Sequence, residues 1–265
     1  MNRISPLKVR VFGACRLRYR YQYVDRQEGR VRPRLRPADT AGSLVHRVLC
    51  DFFSKVEERE RTRDKLFDMF NVGWNALSEG YHRVPGVEVH HENSLRQLSN
   101  FVRLSSPRGS GPRPDTGRGL GARPFMVEPY FQTEIEPGIL LFGRVDRLDE
   151  EQDGALHIID YKGGAEPEEI DPSQLVLYAI LVEAKLDRTV SKASFWYLDD
   201  GQTWTMEFRD DDKRRAREEL LATAREMEAV SDFPPTIGPH CAFCPYLKVC
   251  DVRKQIAEVR APGGW

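Results

Sequence analysis

The chain has 265 residues, with 40% hydrophobic and 31% charged residues and a formal net charge of -1. This composition is typical of a soluble globular protein of one large domain or two small ones. No apolar stretch approaches the roughly 18 residues of a membrane span, and the basic N-terminus lacks the apolar run of a signal peptide. We therefore expect a cytoplasmic protein with no membrane partner.

The charges are segregated along the chain. Residues 1–36 contain eleven Lys and Arg residues and two acids, whereas residues 128–171 contain thirteen acids and three cations. A basic arm can follow a phosphate backbone, and an acidic centre can hold a divalent metal ion. Two solvated surfaces of opposite sign would show the same pattern.

The first part of the chain is predicted to be helical. Its elements in order are a short helix or arm at 7–23, a loop at 27–39, a helix from Gly42 to about Ser78 with a possible break at Trp74 or later, a helix at Glu92–Phe101 and a flexible loop at 105–124. The long helix carries Val45, Leu49 and Phe52 on one apolar stripe. The loop at 105–124 is rich in Ser, Gly, Pro and Arg.

The second part alternates strands and helices. Three consecutive, antiparallel strands are predicted at Phe125–Ile135, Ile139–Leu148 and Ala155–Tyr161, and a helix, two strands, a charged helix and a short last helix follow at 173–185, 193–198, 203–208, 211–230 and after the cysteines. Turn signals at Pro137-Gly138 and Asp153-Gly154 separate the first three strands. The fold class is therefore α/β, a central mixed sheet flanked by helices.

Two acids and a lysine in the strand region form a candidate hydrolytic site. Asp160 and Lys162 are two residues apart on one strand, so both side chains point to the same face. Asp146, at the end of the preceding strand, can come beside Asp160. Two carboxylates can hold Mg²⁺ or Mn²⁺, and the lysine can orient a water molecule or stabilise negative charge. An ordinary Asp–Lys surface pair is the alternative.

Three further polar residues have both a local and a functional explanation. His46 lies on the stripe of the long helix, where a lone histidine is usually a core residue. Gln174 and Tyr178 are four residues apart on one helix face. The segment Asp171-Pro172-Ser173-Gln174 fits an N-cap, a first-turn proline and a capping-box Gln, which would explain Gln174 without a function.

The order of these residues resembles the RecB-like branch of the PD-(D/E)XK nucleases. The matching elements are Gly42-x3-His46, Gly143-x2-Asp146, Asp160-x-Lys162 and Gln174-x3-Tyr178. The resemblance implies a restriction-endonuclease-like core. It implies that the metal is held by His46, Asp146, Asp160 and the backbone carbonyl of Tyr161. It also implies a catalytic set of Asp146, Asp160, Lys162, Gln174 and Tyr178. Glu128 matches a recurrent acid of that branch.

Three of the five cysteines have the spacing of metal ligands, Cys241-x2-Cys244-x5-Cys250. His240 could complete a zinc site. Either Cys15 or Cys50 could instead give four thiolates, which suits an iron–sulfur cluster.

The N-terminal segment resembles that of RecB-like nucleases with a [4Fe–4S] cluster, such as the CRISPR-associated exonucleases and AddB-type nucleases. The match runs from Ser5 through Phe12 and Cys15 to Gln22, with Arg16 in place of the usual proline. This resemblance implies a [4Fe–4S] cluster on Cys15, Cys241, Cys244 and Cys250. It would join residues 1–26 to 236–256 within a single nuclease domain, 1–265. Cys50 is then expected to be a buried thiol.

The expected function is a Mg²⁺- or Mn²⁺-dependent deoxyribonuclease, an exonuclease on single-stranded DNA ends, acting in DNA repair, CRISPR spacer acquisition or anti-phage defence. A helicase or CRISPR adaptation proteins are the expected partners, since the chain has no G-x4-GK[ST] phosphate loop of its own. The alternatives are a non-catalytic iron–sulfur DNA-binding module supporting a helicase or integrase, and a zinc-stabilised protein whose acids are incidental. Tyr19, Tyr21 and Tyr23 could stack on bases or pack inward.

Overall fold

The computed structural model describes residues 2–26, 29–31, 33, 36–105 and 123–259. The chain divides into two compact units. The first comprises Met1–Arg36, Glu134–Leu141 and Arg217–Trp265, and the second comprises Pro37–Thr133 and Phe142–Ala216. The candidate hydrolytic residues all belong to the second unit. The cysteines at 15, 241, 244 and 250 belong to the first, while Cys50 belongs to the second.

The helices of the described residues follow the predicted helical regions in order, but they are nine where six regions were predicted, and α5 was not predicted. The α-helices are α1 (Pro6–Ala14), α2 (Arg16–Tyr19), α3 (Pro37–Lys55), α4 (Arg63–Asn75), α5 (Glu79–His82), α6 (Val87–Ser105), α7 (Ser173–Leu186), α8 (Asp210–Ala229) and α9 (Arg253–Val259). A π-helical turn covers Arg20–Val24, and short 3-10 turns cover Glu58–Glu60, Pro239–Phe243 and Leu247–Val249. The predicted loop at 27–39 extends too far, because α3 begins at Pro37. The helix predicted at Glu92–Phe101 is longer at both ends.

The long helix predicted from Gly42 is interrupted earlier than expected, between Lys55 and Arg63. The intervening residues are mostly charged and give a helix no apolar face to bury. Arg61 instead donates from its guanidinium to the carbonyls of Phe53 and Val56 at the end of α3, at 2.7 and 3.0 Å. Thr62 then caps α4, since its hydroxyl accepts the Lys65 N–H at 3.2 Å. Side chains at both helix ends thus fix the break.

The strands form two sheets. The strands are β1 (Asn2–Ile4), β2 (Met126–Val127), β3 (Tyr130–Glu136), β4 (Ile139–Arg144), β5 (Arg147–Glu150), β6 (Leu156–Lys162), β7 (Val190–Tyr197) and β8 (Gln202–Glu207). One sheet has the order β1-β4-β3 and the other the order β2-β5-β6-β7-β8. In the five-stranded sheet β6 and β7 are parallel and the other neighbours are antiparallel. This is the mixed sheet that the sequence predicted.

The prediction of continuous strands at Phe125–Ile135 and Ile139–Leu148 is wrong. Each is broken in two, after Val127 and after Arg144, and the halves belong to different sheets. Pro129 has no N–H to donate to a ladder, and Glu128 has a φ of 50°, outside the strand region. The breaks place Glu128 and Asp146 in links between strands, where their side chains are not committed to a sheet face.

The core of the second unit lies between helices and the five-stranded sheet. Buried residues of α3, α4 and α6 meet Ile159 and Tyr161 of β6; among them are Leu44, Leu49, Phe52, Phe70, Leu98 and Phe101. Helix α7 is buried continuously from Leu175 to Val182, as expected of a helix that is apolar on all sides.

Residues 106–122 of the predicted loop at 105–124 lie outside the described residues. Ser105 ends α6, and Arg123 forms an ion pair with Glu58 at 2.7 Å. In the part of the chain that the structure describes, no helix has the length and apolarity needed to cross a bilayer.

Candidate metal centre and active site

Three side chains from separate segments come together near the two strand breaks, after Val127 and after Arg144. His46 is on α3, Glu128 is in the link after β2, and Asp146 precedes β5. The His46 Nδ1 atom is 3.4 Å from the Asp146 Oδ1 and 3.7 Å from the Glu128 Oε1. Among the described residues, these three are the one group of His, Cys, Asp or Glu side chains whose ligand atoms all lie within 4.8 Å of one another. Such a nitrogen and carboxylate set can bind a divalent metal ion.

The backbone at Glu128 is held in an unfavourable conformation. Its φ of 50° is left-handed, and a residue before proline normally avoids helical backbone angles. Its N–H donates to the carbonyl of Asp146 at 2.8 Å, which ties the two links together. A strained non-glycine residue persists where its surroundings demand it, and such positions concentrate at functional sites.

The charges of the acids control the ionisation of His46. Burial lowers the pKa of this histidine, but hydrogen bonds and charge from Asp146 and Glu128 outweigh burial and raise the pKa to about 10. In the metal-free protein the imidazolium therefore provides a positive charge between the two carboxylates at neutral pH. A divalent cation bound there would replace this proton.

The predicted pair on β6 faces a second polar group. Asp160 is 3% exposed, and its Oδ2 atom is 2.7 Å from the Nζ of Lys162. Gln174 on α7 donates from Nε2 to the Asp160 Oδ1 at 2.7 Å and accepts from the Lys162 Nζ at 2.8 Å. The same amide donates to the Tyr178 hydroxyl at 3.3 Å. The structure thus joins these four predicted residues in one network, and an incidental Asp–Lys surface pair is excluded by the burial of Asp160.

The capping-box interpretation of Gln174 is wrong. Ser173 is the first residue of α7, Pro172 flanks it, and Asp171 accepts the Ser173 N–H through Oδ1 at 2.9 Å. Since Asp171 satisfies the helix start, the side chain of Gln174 is free to turn toward β6.

The two polar groups are linked through the main chain of β6. The Tyr161 N–H donates to the Asp146 Oδ2 at 2.7 Å, while the Tyr161 ring packs in the core against Phe101 and Trp196. Burial, and then the negative charge of Asp146, raise the pKa of Asp160. Asp160 does not belong to the close group around His46. The positive charge of Lys162 opposes this shift but does not outweigh it.

Close packing explains why a glycine begins the Gly143-x2-Asp146 motif. A Cβ atom at position 143 would lie 2.9 Å from the Cε1 of Tyr178 and 3.3 Å from Leu181. The bare backbone of β4 lets the Tyr178 ring of α7 approach closely. The position of Tyr178, and with it the Gln174 network, thus depends on a residue without a side chain at 143.

Sequence reasoning did not place Glu128 in the metal set and did not recognise Arg147. An acid directly before a proline, in a gap between apolar strand residues, was the available signal for Glu128. Arg147 was hidden because a single arginine in a strand pattern looks like an exposed residue, whereas it is only 4% exposed.

Four of the five cysteines line one pocket of the first unit. Cys15, Cys241, Cys244 and Cys250 line it together with Tyr21 and other residues of the first unit. Cys50 lies apart on α3 and is half-buried rather than buried, which corrects the expectation. The close group around His46 contains no cysteine. Among the described residues, therefore, no three of the four pocket sulfurs lie within 4.8 Å of one another.

Two of the N-terminal tyrosines pack inward. Tyr19 and Tyr21 are 5% and 6% exposed, and Tyr21 packs against Tyr246 with ring centroids 5.8 Å apart. Neither ring is accessible for stacking on bases. The inward alternative is thus correct for these two residues.

Comparison with known proteins identifies the family. A family model of the PD-(D/E)XK nuclease superfamily matches residues 3–251. No curated protein matches the chain. A solved structure described as the crystal structure of SSO0001 is similar to this chain with 15% sequence identity and a TM-score of 0.36, over 81% of this chain and 97% of that one. Because the family model covers almost the whole chain, including all the site residues above, the protein belongs to the PD-(D/E)XK nuclease superfamily.

Proposed function

We propose that this protein is a Mg²⁺- or Mn²⁺-dependent deoxyribonuclease whose site is built from His46, Glu128, Asp146, Asp160 and Lys162. The observation that carries the proposal is the close group of His46, Glu128 and Asp146 beside the ion pair of buried Asp160 and half-buried Lys162. Membership of a nuclease superfamily supports phosphodiester hydrolysis as the reaction.

The residues have separable roles. His46, Glu128, Asp146 and Asp160 would hold the metal, with the Tyr161 carbonyl as a further ligand. A bound divalent cation lowers the pKa of an attacking water and offsets the charge of the phosphate. Lys162 holds its positive charge where negative charge develops on the phosphate, and Gln174 fixes the Lys162 ammonium relative to the Asp160 carboxylate. Burial raises the pKa of the Tyr178 hydroxyl, which stays protonated at neutral pH and orients Gln174 by accepting its amide N–H.

The finer assignment is an exonuclease that acts on single-stranded DNA ends in DNA repair, CRISPR spacer acquisition or anti-phage defence. It rests on the RecB-like order of motifs from His46 to Tyr178. A helicase or CRISPR adaptation proteins would be the partners of a nuclease that carries no motor of its own.

The four pocket cysteines are proposed to hold a [4Fe–4S] cluster. Sulfur atoms bound to one zinc ion at about 2.3 Å lie about 3.8 Å apart in tetrahedral geometry. No three of the pocket sulfurs lie as close as such a zinc site requires, and the cluster proposal rests on the resemblance of the N-terminal segment and on the four cysteines that line one pocket. His240 also lines this pocket, and its Nε2 contacts the Thr236 carbonyl at 3.0 Å.

Degradation of end-labelled single-stranded DNA with Mn²⁺ tests the catalytic proposal. Wild type should shorten the DNA, a chelator should stop the reaction, and Lys162→Ala should lower the rate by roughly 10²-fold or more, the usual cost of losing a group that stabilises developing charge. Lys192→Ala is the matched control, because this β7 lysine pairs with Glu151 at 3.0 Å and should leave the rate unchanged. The position of the label in the products gives the polarity.

Equal inactivity of wild type and Lys162→Ala, both folded, would remove the support for a nuclease. Retained binding of the same DNA would then favour the non-catalytic DNA-binding module.

A further inference from the structure

Arg147 is a charged residue in the core of the second unit. It directly follows Asp146 and is 4% exposed. A buried guanidinium is costly unless it is paired, and among the described residues the Nη1 atom of Arg147 has no hydrogen-bond partner. Arg147 pairs with Asp149 through two bonds of 2.6 Å, from Nε to Oδ1 and from Nη2 to Oδ2. Its guanidinium also lies over the rings of Phe53 and Trp196, 5.4 and 5.3 Å from their centroids.

Through these contacts and its backbone pairing, Arg147 touches the segment that carries each residue of the close metal group. Phe53 lies on α3, two helical turns after His46. On β5, the Arg147 backbone pairs with Val127, the residue before Glu128. Arg147 is also bonded covalently to Asp146.

Arg147 further contacts the strand that carries the Asp160–Lys162 pair. It pairs with Ile159 on β6, so Tyr161 is its diagonal neighbour on the same sheet face. Tyr161 pairs in turn with Trp196 on β7. The planar guanidinium thus packs between a ring of α3 and a ring of β7, next to the strand whose Tyr161 N–H donates to Asp146.

We propose that Arg147 is a positioning residue of the metal centre. Its planar guanidinium, held by two hydrogen bonds to Asp149, fixes α3 and the start of β5 in the relative position that brings His46, Glu128 and Asp146 together. This inference rests on the proposed function, because it concerns the same metal site. Lysine cannot replace arginine here, since an ammonium provides neither the bidentate fork nor the flat stacking surface.

Mn²⁺ titration by calorimetry, together with kcat and KM on a single-stranded oligonucleotide, tests the proposal. Arg147→Lys should lose 10- to 100-fold in Mn²⁺ affinity, the usual effect of altering a residue that orients metal ligands. Excess Mn²⁺ should restore part of kcat, and KM for DNA should change little. All measurements are made well below the melting temperature of each variant.

Leu66→Ala is the control for a purely structural role. Leu66 on α4 is fully buried in the same core, and its truncation should lower stability without changing Mn²⁺ affinity. Asp149→Asn is the second variant, because it keeps the guanidinium in place and weakens only its anchor. It should lose Mn²⁺ affinity in the same direction as Arg147→Lys, to a smaller extent.

Wild-type Mn²⁺ affinity in folded Arg147→Lys would overturn this inference and leave the proposed function standing. A loss of Mn²⁺ affinity no larger than that of Leu66→Ala would do the same. If Arg147→Lys does not fold, unchanged affinity in Asp149→Asn overturns it, and reduced affinity supports it. A wild-type chain that binds no Mn²⁺ would overturn the proposed function and this inference with it.

Discussion

At the scale of single residues, His157 on β6 is a half-buried histidine that lies outside the metal centre. Its Nε2 atom is 2.7 Å from the Ser194 hydroxyl, which in turn is 2.7 Å from the hydroxyl of Thr205. Burial, and then the positive charge of Lys192, lower the pKa of His157 to about 4, against smaller opposing effects of Asp149 and Glu151. The folded protein therefore keeps this imidazole neutral in mild acid.

This depressed pKa predicts a specific loss of stability in acid. Below about pH 6.5 the unfolded chain takes up a proton that folded His157 accepts only near pH 4, so stability falls as the pH decreases from 6.5 to 4. In His157→Gln the free energy of unfolding should fall less over this range, by on the order of 3 kcal/mol. Urea unfolding at pH 7 and pH 4.5 measures the difference. Parallel losses in wild type and variant would contradict the assignment.

Most residue identities in the candidate site could be proposed from the sequence, with Glu128 as the exception, but their contacts could not. The spacing of Asp160 and Lys162 on a strand fixes which face they share, so this pair followed from the sequence. Gln174 satisfied a local capping pattern equally well, and only the tertiary position of β6 decides where its amide points. Glu128 joins His46 and Asp146 through a backbone conformation that no propensity favours.

At the scale of elements, the packing of α7 against β4 depends on Gly143. The two glycines of the recognised motifs have opposite surroundings. Gly143 faces Tyr178 at contact distance, whereas a Cβ at Gly42 on α3 would have no atom within 4 Å.

The two glycines should therefore respond oppositely to alanine. Gly143→Ala should destabilise the protein by about 1–3 kcal/mol, as overpacking usually does, and should lower nuclease activity by displacing Tyr178. Gly42→Ala should stabilise α3 by about 0.5–1 kcal/mol, because glycine is costly inside a helix. Urea unfolding of the two variants provides the comparison. Equal stability of Gly143→Ala and wild type would show that Tyr178 can move without cost.

The type of each element was more predictable than its continuity. Apolar periodicity gave α7, β7, β8 and α8 within a few residues, because their hydrophobic patterns are uninterrupted. It failed at Glu128–Pro129 and at Val145–Asp146, where apolar residues continue across a change of sheet. A pattern of apolar and polar residues indicates burial alone. Because both sheets bury the apolar residues on either side of each break, the pattern does not reveal the break.

At the scale of the whole molecule, the pocket cysteines join two distant parts of the sequence within the first unit. A bound cluster would hold the segment after α1 against the turns before α9, and metal binding of this kind is coupled to folding. Cys241 is buried in this pocket, and Cys50 lies in the second unit.

Cys241→Ser should abolish the cluster and lower the melting temperature, while Cys50→Ser should retain it. Iron and acid-labile sulfide are measured per chain after anaerobic purification, together with visible absorption. Wild type and Cys50→Ser should be brown with matching iron content, and Cys241→Ser should be colourless. A colourless wild type containing zinc would instead establish a zinc-stabilised protein.

The family of the whole chain was predictable because its motifs occur in a fixed order over about half of the sequence. The division into two compact units was not, since three of their four boundaries, at residues 134, 142 and 217, fall inside or beside regular elements. Composition shifts mark linkers, and these boundaries have none.

Locating Mn²⁺ by anomalous scattering in crystals grown with the ion tests the metal centre most directly. We predict a peak within ligand distance, about 2 Å, of the side chains of His46, Glu128 and Asp146, and no such peak in Asp146→Asn. Mn²⁺ bound only elsewhere, in a protein that degrades DNA, would contradict the assignment of these residues as the catalytic metal centre.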